Sequence, residues 1–357
     1  MVDFKTLLKN FGIEICCNDC VHPYGDGHIN DTYITDTDPK YILQKINTNV
    51  FKDYDRLMNN IALVTEFLAN KIRENGGDPA VETLTIIKTV DGKNYYKLGD
   101  DVYRVYDFIN GVSYNLPNTQ LLLEAGKAFG KFQNQLADFD ASLLFESIPN
   151  FHHTRKRFGN LVAAIEADKM GRAADIKADI DFALSCEKYV DVVLDGIADG
   201  SIPLRVTHND TKINNVLFDA NTNKCLSVID LDTVMPGSML YDFGDALRFG
   251  ASSAKEDETD LSVVYCQLDK FEAFTEGFLS QVKDSATPRE IELLPLSVLL
   301  LTYECGIRFL TDYLEGDTYF KIHYPQHNLD RARNQLKLVA DIETKLDAMS
   351  EIVKKYA

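Results

Sequence analysis

Residues 206 to 217 read VTHNDTKINNVL, and their spacing decides the fold that we expect for the whole chain. Asp210 comes two positions after His208, and Lys212 comes two positions after Asp210. Asn215 follows three positions later. Phosphoryl transfer needs an aspartate that reaches the acceptor hydroxyl, a cation beside the transferring group and a side-chain oxygen for a metal ion. The loop therefore predicts phosphoryl transfer, with Asp210 and Lys212 as catalytic residues and His208 as a buried brace.

An apolar run that ends in carboxylates follows this loop. Asp230 comes 15 residues after Asn215 and directly after Val228 and Ile229. Mg²⁺ prefers carboxylate and carbonyl oxygens, and a site with few protein ligands keeps room for nucleotide phosphates. We predict that Asn215 and Asp230 bind Mg²⁺, and the sequence leaves Asp232 open between metal binding and a structural hydrogen bond.

Each of these residues has an ordinary structural interpretation when it is taken alone. An isolated aspartate such as Asp210 is typical of a turn, and an isolated asparagine such as Asn215 is typical of a cap at the start of a strand. Their joint spacing with Lys212 and Asp230 favours the catalytic interpretation.

The residues before the loop predict a small antiparallel sheet crossed by one helix. Short β-branched runs punctuated by Gly, Asp and Asn are typical of strands, and apolar residues at helical spacing predict a helix over Arg56–Lys71. This first lobe comprises residues 1–110. The predicted strands are Thr32–Thr35, Tyr41–Ile46, Leu84–Thr89, Tyr95–Leu98 and Val102–Phe108.

Residues 111–357 predict a second, mainly helical lobe. Helices are expected over Thr119–Phe139, over Phe158–Asp168, and from a capping box at Thr287 to Tyr313. The main interruption is a predicted β-hairpin of Val216–Phe218 and Ser227–Leu231. The fold class is therefore α+β with two lobes, the second carrying the catalytic loop.

A glycine-containing turn in the first lobe is a candidate phosphate site. Gly25, Asp26 and Gly27 precede a strand, and glycine allows backbone N–H groups to approach phosphates closely. The same pattern is also common in plain hairpin turns. For the adenine ring we expect the backbone of Asp107 and Ile109 at the end of the last strand.

Two apolar residues are predicted to lie beneath the adenine ring. Leu217 and Ile229 flank the predicted metal ligands. In phosphoryl-transfer sites of this pattern, a lysine on a strand usually pairs with the nucleotide phosphates, and in the strand Tyr41–Ile46 that position is occupied by Gln44. Lys212 and the glycine turn are therefore expected to hold more of the phosphate charge.

Composition excludes several other classes of function. The formal charge of −18 would repel nucleic acid, and no apolar stretch is long enough to predict a membrane span. Seven scattered cysteines indicate reduced thiols in a cytoplasmic protein. Cys17 and Cys20 have the spacing of a redox or zinc pair, but no second pair accompanies them, so incidental thiols are expected. We expect a monomer.

These motifs resemble the aminoglycoside phosphotransferase/choline kinase superfamily, whose loop pattern is matched by His208, Asp210 and Asn215. Ile229-Asp230 and Tyr241-Asp242-Phe243 match its two following elements. Within it the chain is similar to the N-acetylhexosamine 1-kinases, through YGDGHIN at 24, YILQ at 41, SYNL at 113, PLRVTHNDTK at 203, IDLDTVMPGSMLYDFGD at 229, RFGAS at 248 and ECGIRFLTDYLEGD at 304.

The resemblance implies a two-lobed protein-kinase-like fold and an activity that uses ATP and Mg²⁺. The activity would phosphorylate the anomeric C1 hydroxyl of N-acetylglucosamine or N-acetylgalactosamine by direct in-line transfer. It implies that Asp210 is the base and that His28, Phe249, Arg308 and Tyr319 line the sugar.

Each of the sugar-lining residues has a plainer alternative. Arg308 could pair with Glu304 or Asp312 on its own helix, the two aromatic residues could belong to the core, and His28 could be a turn residue. The alternative functions are a kinase of another small alcohol, of aminoglycoside, choline or homoserine type, or a catalytically inactive nucleotide-binding module.

Overall fold

The computed structural model describes residues 2–25 and 29–357 and divides the chain into two compact units. The predicted boundary after residue 110 lies near the end of the first segment of unit 1, and two later segments return to that unit. Unit 1 contains Met1–Ser113, Asp138–Ile148 and Val216–Met235; unit 2 contains Tyr114–Ala137, Pro149–Asn215 and Pro236–Ala357.

Unit 1 is built on an antiparallel sheet. Its strands are β1 (Val21–Pro23), β2 (Asp31–Thr35), β3 (Tyr41–Ile46), β4 (Ile86–Ile87), β5 (Tyr96–Leu98) and β6 (Asp101–Asp107). They pair in the order β1-β2-β3-β6-β4, and β5 pairs with β6. The antiparallel sheet predicted from the sequence is confirmed, although the strand predicted over Leu84–Thr89 is reduced to the two residues of β4.

The register of β3 against β6 fixes what each face of the sheet carries. Gln44 lies opposite Arg104, and Leu43 lies opposite Val105. Leu43 and Val105 pack into a buried cluster with apolar residues of the amino-terminal segment, including Leu7. Because neighbouring strand residues point to opposite faces, Gln44 and Arg104 lie on the other face.

The helices of unit 1 are α1 (Phe4–Lys9), α2 (Tyr54–Glu74) and α3 (Pro79–Glu82). The predicted helix over Arg56–Lys71 lies inside α2, which begins earlier because the carboxylate of Asp53 accepts a hydrogen bond from the Arg56 N–H at 3.1 Å. The expectation of a single helix missed α1 and α3, since six and four residues are too few to show helical periodicity.

The predicted hairpin is present but ends earlier than expected. Its strands are β8 (Val216–Phe218) and β9 (Cys225–Val228), which pair antiparallel. The second strand does not reach Leu231, because Asp230 adopts the left-handed conformation with φ 62° and Leu231–Thr233 form a 3-10 turn. The hairpin thus ends in a sharp change of direction at a predicted metal ligand.

Unit 2 is mainly helical, as predicted, and also contains β7 (Arg205–Thr207); β10 (Met235–Gly237) begins at the last residue of unit 1. The helix predicted over Thr119–Phe139 ends at Gln135, and the one predicted over Phe158–Asp168 begins at Thr154. The helices are α4 (Thr119–Gln135), α5 (Thr154–Ala167), α6 (Lys177–Ser185), α7 (Val192–Asp199), α8 (Met239–Gly250), α9 (Leu268–Val282), α10 (Pro288–Glu315) and α11 (His327–Tyr356).

Helix α10 is the central helix of unit 2 and packs against α5, α8 and α11. It begins at the predicted capping box of Thr287 and Glu290, and it ends at Gly316 with φ 103°. Its length and composition would suit a membrane span, yet 83% of its most apolar window is buried within the folded chain. That burial is typical of a core helix.

Helices α4 and α9 approach so closely that their backbones nearly touch. A Cβ atom on Gly126 would lie 2.3 Å from the carbonyl oxygen of Phe274, and one on Gly277 would lie 2.1 Å from that of Leu123. Only glycine fits at either contact, so these residues set the distance between the two helices.

Candidate active site

The loop that follows β7 is held by the first turn of α8. The buried carboxylate of Asp242 accepts hydrogen bonds from the N–H groups of His208 at 2.9 Å and Asn209 at 2.7 Å, and from the amide of Gln133 at 2.6 Å. Burial raises the pKa of Asp242, and these donors oppose that effect. Asn209 is held with φ 65°, a conformation that asparagine tolerates better than most residues. The loop is therefore fixed before any ligand binds.

Three of the predicted site residues meet within this loop. The Nζ atom of Lys212 lies 2.8 Å from Oδ1 of Asp210. The side-chain amide of Asn215 donates to the backbone carbonyl of Asp210 at 2.8 Å and to its Oδ2 atom at 3.3 Å. Asp210 is half-buried, so its carboxylate is oriented by two donors and still reaches solvent.

A second carboxylate supports the charge of Lys212. Burial lowers the pKa of Lys212, but the charges of Asp210 and Asp245 outweigh it and the net pKa is raised. The Oδ2 atom of Asp245 accepts the N–H of Thr211 at 3.1 Å, and its Oδ1 atom faces Arg248 at 3.2 Å. Lys212 therefore remains protonated, which its predicted place beside phosphate charge would require.

The two predicted metal ligands offer the donor atoms that Mg²⁺ prefers. In Asn215, Nδ2 donates to Asp210, which leaves Oδ1 free of hydrogen bonds among the described residues. Asp230 is exposed at the end of the hairpin. An amide oxygen and a carboxylate suit a hard cation that retains water and phosphate ligands. The residues present thus fit Mg²⁺.

A buried ion pair occupies the sheet beside Gln44. Arg104 forms a salt bridge with Asp232, and the two side chains are 1% and 5% exposed. Gln44 Oε1 accepts hydrogen bonds from Arg104 at 2.9 and 2.8 Å, and Asn30 donates to Asp232 at 2.6 Å. Burial lowers the pKa of Arg104, but Asp232 outweighs it and the net pKa is raised. Both carboxylate oxygens of Asp232 are thus engaged in structural contacts.

In the segment predicted to bind adenine, one backbone N–H group is already hydrogen-bonded and another is not. The N–H of Asp107 already donates to the carbonyl of Thr85 at 3.0 Å, and burial raises the pKa of the Asp107 carboxyl group. The N–H of Ile109 has no hydrogen-bond partner in the described part of the chain. Leu217 and Ile229 are both half-buried on the hairpin.

Two of the residues expected to line the sugar share a cavity of about 180 Å³ in unit 2. Arg308 and Tyr319 line it together with Arg157 and Phe320. The guanidinium of Arg308 lies 5.5 Å from the centre of the Phe320 ring. Tyr319 is 72% exposed.

The structure can be compared with the plainer interpretations of Arg308 and of the two aromatic residues. Among the described residues Arg308 forms no ion pair with Glu304 or Asp312. Phe249, on α8, is 36% exposed, and Tyr319 is more exposed still, so neither is a core aromatic residue. Asp26, Gly27 and His28 lie outside the described residues; Gly25 is exposed with φ 72°.

The loop that carries Tyr319 is tied to one buried carboxylate. Asp312 accepts the N–H groups of Thr318 at 2.9 Å, Tyr319 at 2.8 Å and Phe320 at 2.9 Å, and also the side-chain amide of Asn328 at 2.9 Å. The exposed ring of Tyr319 therefore stands on a fixed backbone.

A buried histidine links α10 to the catalytic loop. His152 Nδ1 lies 2.9 Å from Glu304, and its Nε2 lies 3.3 Å from the carbonyl of Asn209. Burial lowers the pKa of His152, but Glu304 outweighs it and the net pKa is raised; burial raises the pKa of Glu304, but His152 outweighs it and the net pKa is lowered. The pair thus contacts the loop at the carbonyl of Asn209, next to Asp210.

A family model for phosphotransferase enzymes matches residues 21–267, which is more than half of the chain. The chain belongs to this phosphotransferase family. The matched region contains Asp210, Lys212, Asn215 and Asp230. It ends before α10, so Arg308 and Tyr319 lie outside it.

Solved structures of other phosphotransferases share the fold. A spectinomycin phosphotransferase solved with ADP and spectinomycin has a TM-score of 0.56 at 15% identity, covering 97% of this chain and 99% of that chain. An aminoglycoside phosphotransferase from Alicyclobacillus acidocaldarius has a TM-score of 0.60 at 12% identity, with 99% and 97% covered. A choline kinase from Cryptosporidium parvum has a TM-score of 0.55 at 13% identity, with 94% and 92% covered. The kinase-like fold predicted from the sequence is confirmed.

Several supporting residues of the phosphotransferase site were missed by the motif analysis. Arg104 had a usable signal, since an arginine in the middle of the apolar run Val102–Phe108 needs a buried partner. Asp242 was recognised only as part of a family motif. His152 and Glu304 are 152 residues apart and carried no signal, because nothing in the local sequence indicates a contact over that separation.

Proposed function

We propose that this chain is a Mg-ATP-dependent kinase that phosphorylates the anomeric C1 hydroxyl of N-acetylhexosamines. The observation that carries the proposal is the arrangement of Asp210, Lys212 and Asn215 on a loop held by Asp242. The family membership supports phosphotransfer. The choice of N-acetylglucosamine or N-acetylgalactosamine as acceptor rests on the sequence resemblance.

Each of the four proposed catalytic and metal-binding residues has a separate role in in-line transfer. Asp210 accepts a hydrogen bond from the acceptor hydroxyl and orients it toward the phosphorus atom. Lys212 stabilises the negative charge on the transferring phosphoryl group, and Asn215 and Asp230 would hold Mg²⁺. The metal ion, when bound, neutralises charge on the β- and γ-phosphates. No covalent intermediate on the protein is required.

The nucleotide would be held by backbone groups and apolar side chains. The free N–H of Ile109 is a donor for the adenine ring, and the carbonyl of Asp107 is the matching acceptor. Leu217 and Ile229 would lie beneath the ring, and the backbone at Gly25 would approach the phosphates. Because Arg104 is committed to Asp232, this proposal assigns the phosphate charge to Lys212, which is half-buried beside Asp210.

The charge of the cavity in unit 2 favours a neutral acceptor over a cationic one. Two arginines, Arg157 and Arg308, and two carboxylates, Asp312 and Glu315, line it. Asp312 accepts backbone N–H groups with both oxygens and Glu315 faces Lys169 at 3.7 Å, whereas neither arginine forms an ion pair among the described residues. A choline or aminoglycoside cation would be repelled there, whereas sugar hydroxyl groups accept guanidinium hydrogen bonds. The exposed Tyr319 offers an apolar face to a sugar ring.

Product analysis tests the proposal directly. The purified protein is incubated with Mg-ATP and, separately, with N-acetylglucosamine, N-acetylgalactosamine, choline, homoserine and an aminoglycoside, and the products are read by phosphorus NMR. We expect phosphate on the anomeric oxygen of an N-acetylhexosamine. Phosphorylation of only another alcohol would reassign the acceptor, and no transfer to any alcohol would indicate an inactive nucleotide-binding module.

The Asp210→Asn variant tests the catalytic residue. It should bind Mg-ATP normally and lose turnover by about 10²–10⁴-fold, because a neutral amide is a much weaker acceptor for the hydroxyl proton than a carboxylate. Asp195→Asn, on the exposed face of α7, is the matched control and should retain full turnover. Near-normal turnover in Asp210→Asn would refute the assignment.

We also infer that the protein acts as a cytoplasmic monomer with a small-molecule substrate and without nucleic acid or membrane partners. All seven cysteines are free thiols, which suits a reducing compartment. Light scattering coupled to size-exclusion chromatography would test the monomer: a mass near 40.3 kDa is expected.

A further inference from the structure

Three thiols converge on the surface of unit 1, in a segment that the proposed kinase activity does not use. The Sγ atoms of Cys16 and Cys17 are 3.8 Å apart, those of Cys17 and Cys20 are 3.5 Å apart, and those of Cys16 and Cys20 are 2.9 Å apart. The sequence predicts incidental thiols because Cys17 and Cys20 lack a second pair. The structure adds Cys16 as a third donor, so the expectation no longer rests on a pair alone.

The segment that carries these thiols is anchored at both ends. Ile15 and Val21, which flank it, are buried in the apolar cluster of unit 1, and Cys20 packs partly against the same cluster. Cys16 and Cys17 are exposed, so the open side of the group faces water. The three sulfur atoms are therefore held together by the fold and remain accessible to an ion.

Hydrogen bonds fix the backbone between these two anchors. The side chain of Asn18 accepts the N–H of Lys5 at 2.9 Å, and the ammonium of Lys5 donates to the carbonyl of Cys16 at 3.3 Å. The carbonyl of Cys20 accepts the N–H of Asp36 at 2.8 Å. A site whose ligands are already placed loses less conformational entropy when it binds an ion.

The distances suit a tetrahedral thiolate site. Two sulfur ligands about 2.3 Å from zinc are roughly 3.8 Å apart at the tetrahedral angle. The Cys16–Cys17 and Cys17–Cys20 separations are close to that value. The Cys16–Cys20 separation of 2.9 Å is shorter, so these two sulfur atoms would move apart by a small side-chain rotation when they bind an ion.

We propose that Cys16, Cys17 and Cys20 bind one Zn²⁺ ion, with water in the fourth position. Thiolates select soft or borderline cations, so this site would not compete for the Mg²⁺ of the proposed nucleotide site. Each thiol that becomes a ligand releases its proton to solvent, and no oxidation is involved. The proposal is independent of which acceptor the kinase uses.

Zinc uptake by the reduced full chain tests the site. Protein reduced with a phosphine and freed of metal is titrated with Zn²⁺ against a chromophoric chelator. We expect one tightly bound ion per chain in the wild type and loss of that ion when Cys16, Cys17 and Cys20 are all replaced by serine. Cys225→Ser, another partly exposed cysteine, is the matched control and should retain the ion. Cys17→Ser alone should also weaken binding, which covers the case that the triple variant does not fold.

Co²⁺ substitution and thermal unfolding give readouts that do not depend on kinase activity. Tetrahedral thiolate coordination should produce sulfur-to-cobalt charge-transfer bands and intense visible bands in the wild type and the control only. Zinc should raise the unfolding midpoint of the same two proteins. Equal zinc uptake by the triple variant, or no uptake by the reduced wild type, would overturn the proposal, and a disulfide formed on oxidation without metal uptake would assign the cluster to thiol chemistry alone.

Discussion

At the scale of single residues, the Arg104–Asp232 pair shows why a charge can be buried in a small sheet. Taking both charges out of water is costly, and their mutual attraction offsets that cost only with good geometry and further hydrogen bonds. Gln44 accepts two hydrogen bonds from Arg104, and Asn30 donates one to Asp232. The pair is therefore stable as a set and sensitive to the loss of any one member.

Replacing Asp232 should destabilise the protein strongly. Asp232→Asn keeps the shape but leaves Arg104 charged and buried without a carboxylate, which costs about 3–5 kcal/mol in the free energy of unfolding. Urea denaturation measures the change. Asp138→Asn removes the exposed partner of Lys71 in the same unit and should leave stability nearly unchanged. Equal effects of the two variants would contradict the account of the buried pair.

The His152–Glu304 pair should make stability depend on pH. The pKa of His152 is raised in the folded state, so its contribution is fully present below the unfolded histidine pKa and is lost as pH rises through the folded pKa. The pKa of Glu304 is lowered, so its contribution is present above the unfolded glutamate pKa and is lost as pH falls through the folded value. The advantage of the wild type over Glu304→Gln should therefore peak in mildly acidic solution, between these two losses.

Denaturant titrations between pH 4 and 9 would measure this difference. Asp36→Asn is the matched control, because the His22–Asp36 pair has side chains that are 52% and 56% exposed and water screens its charges. Its stability difference from the wild type should stay small at every pH. A Glu304→Gln difference that does not vary with pH would show that the contact with His152 is not an ion pair.

At the scale of secondary-structure elements, the contact between α4 and α9 depends on the absence of side chains. Gly277→Ala should destabilise the protein by about 1–3 kcal/mol, because its Cβ would overlap the backbone of Leu123. Gly159→Ala in α5 is the matched control. Its Cβ would meet nothing within 4 Å, so the gain in helix propensity should stabilise the protein by up to about 1 kcal/mol. Thermal and urea unfolding distinguish the two, and stabilisation by both would contradict the close packing.

Elements with a strong local signal could be predicted from the sequence, and elements fixed by distant contacts could not. The start of α10 could be predicted because Thr287 and Glu290 have the local spacing of a capping box, and they form its reciprocal hydrogen bonds. The early end of β9 could not be predicted from the sequence, because Ile229 and Leu231 continue its apolar run. The chain turns there because the backbone of Asp230 is left-handed. In α1, burial of Leu7 against the sheet stabilises a helix too short to form alone.

At the scale of the whole molecule, ligand binding should appear as a change in global stability. Mg-ATP should raise the free energy of unfolding by about 2.7 kcal/mol at a hundred times its dissociation constant, because only the folded chain binds it. EDTA should remove most of that gain. Scanning fluorimetry with ATP alone, Mg²⁺ alone and both together measures the effect.

Asp230→Asn sharpens this measurement. Asparagine tolerates the left-handed backbone of residue 230, so the fold should be retained while the carboxylate is lost. The variant should respond to ATP but show little further stabilisation by Mg²⁺. A full response to Mg²⁺ would remove Asp230 from the proposed ligands.

The catalytic loop could be predicted from sequence because its chemistry requires residues at fixed local spacing, as in Asp210, Lys212 and Asn215. The support of the loop could not, because Asp242 and His152 reach it through folding contacts rather than through proximity in the chain. The contact of Asp232 with Arg104 could not be predicted either, and the sequence alone leaves Asp232 open between metal binding and a structural hydrogen bond.

The arrangement around Gln44 also limits which residues position 44 of this chain can accept. A lysine at position 44 would place a second cation beside Arg104, and both would share the carboxylate of Asp232. Loss of Arg104 would leave that carboxylate buried without a cation. Each of these single substitutions would therefore leave either two buried cations sharing one carboxylate or a buried carboxylate without its cation. Replacement of Gln44 by lysine should therefore be tolerated only together with a second substitution at Arg104 or Asp232, so position 44 is constrained by its neighbours rather than free to vary.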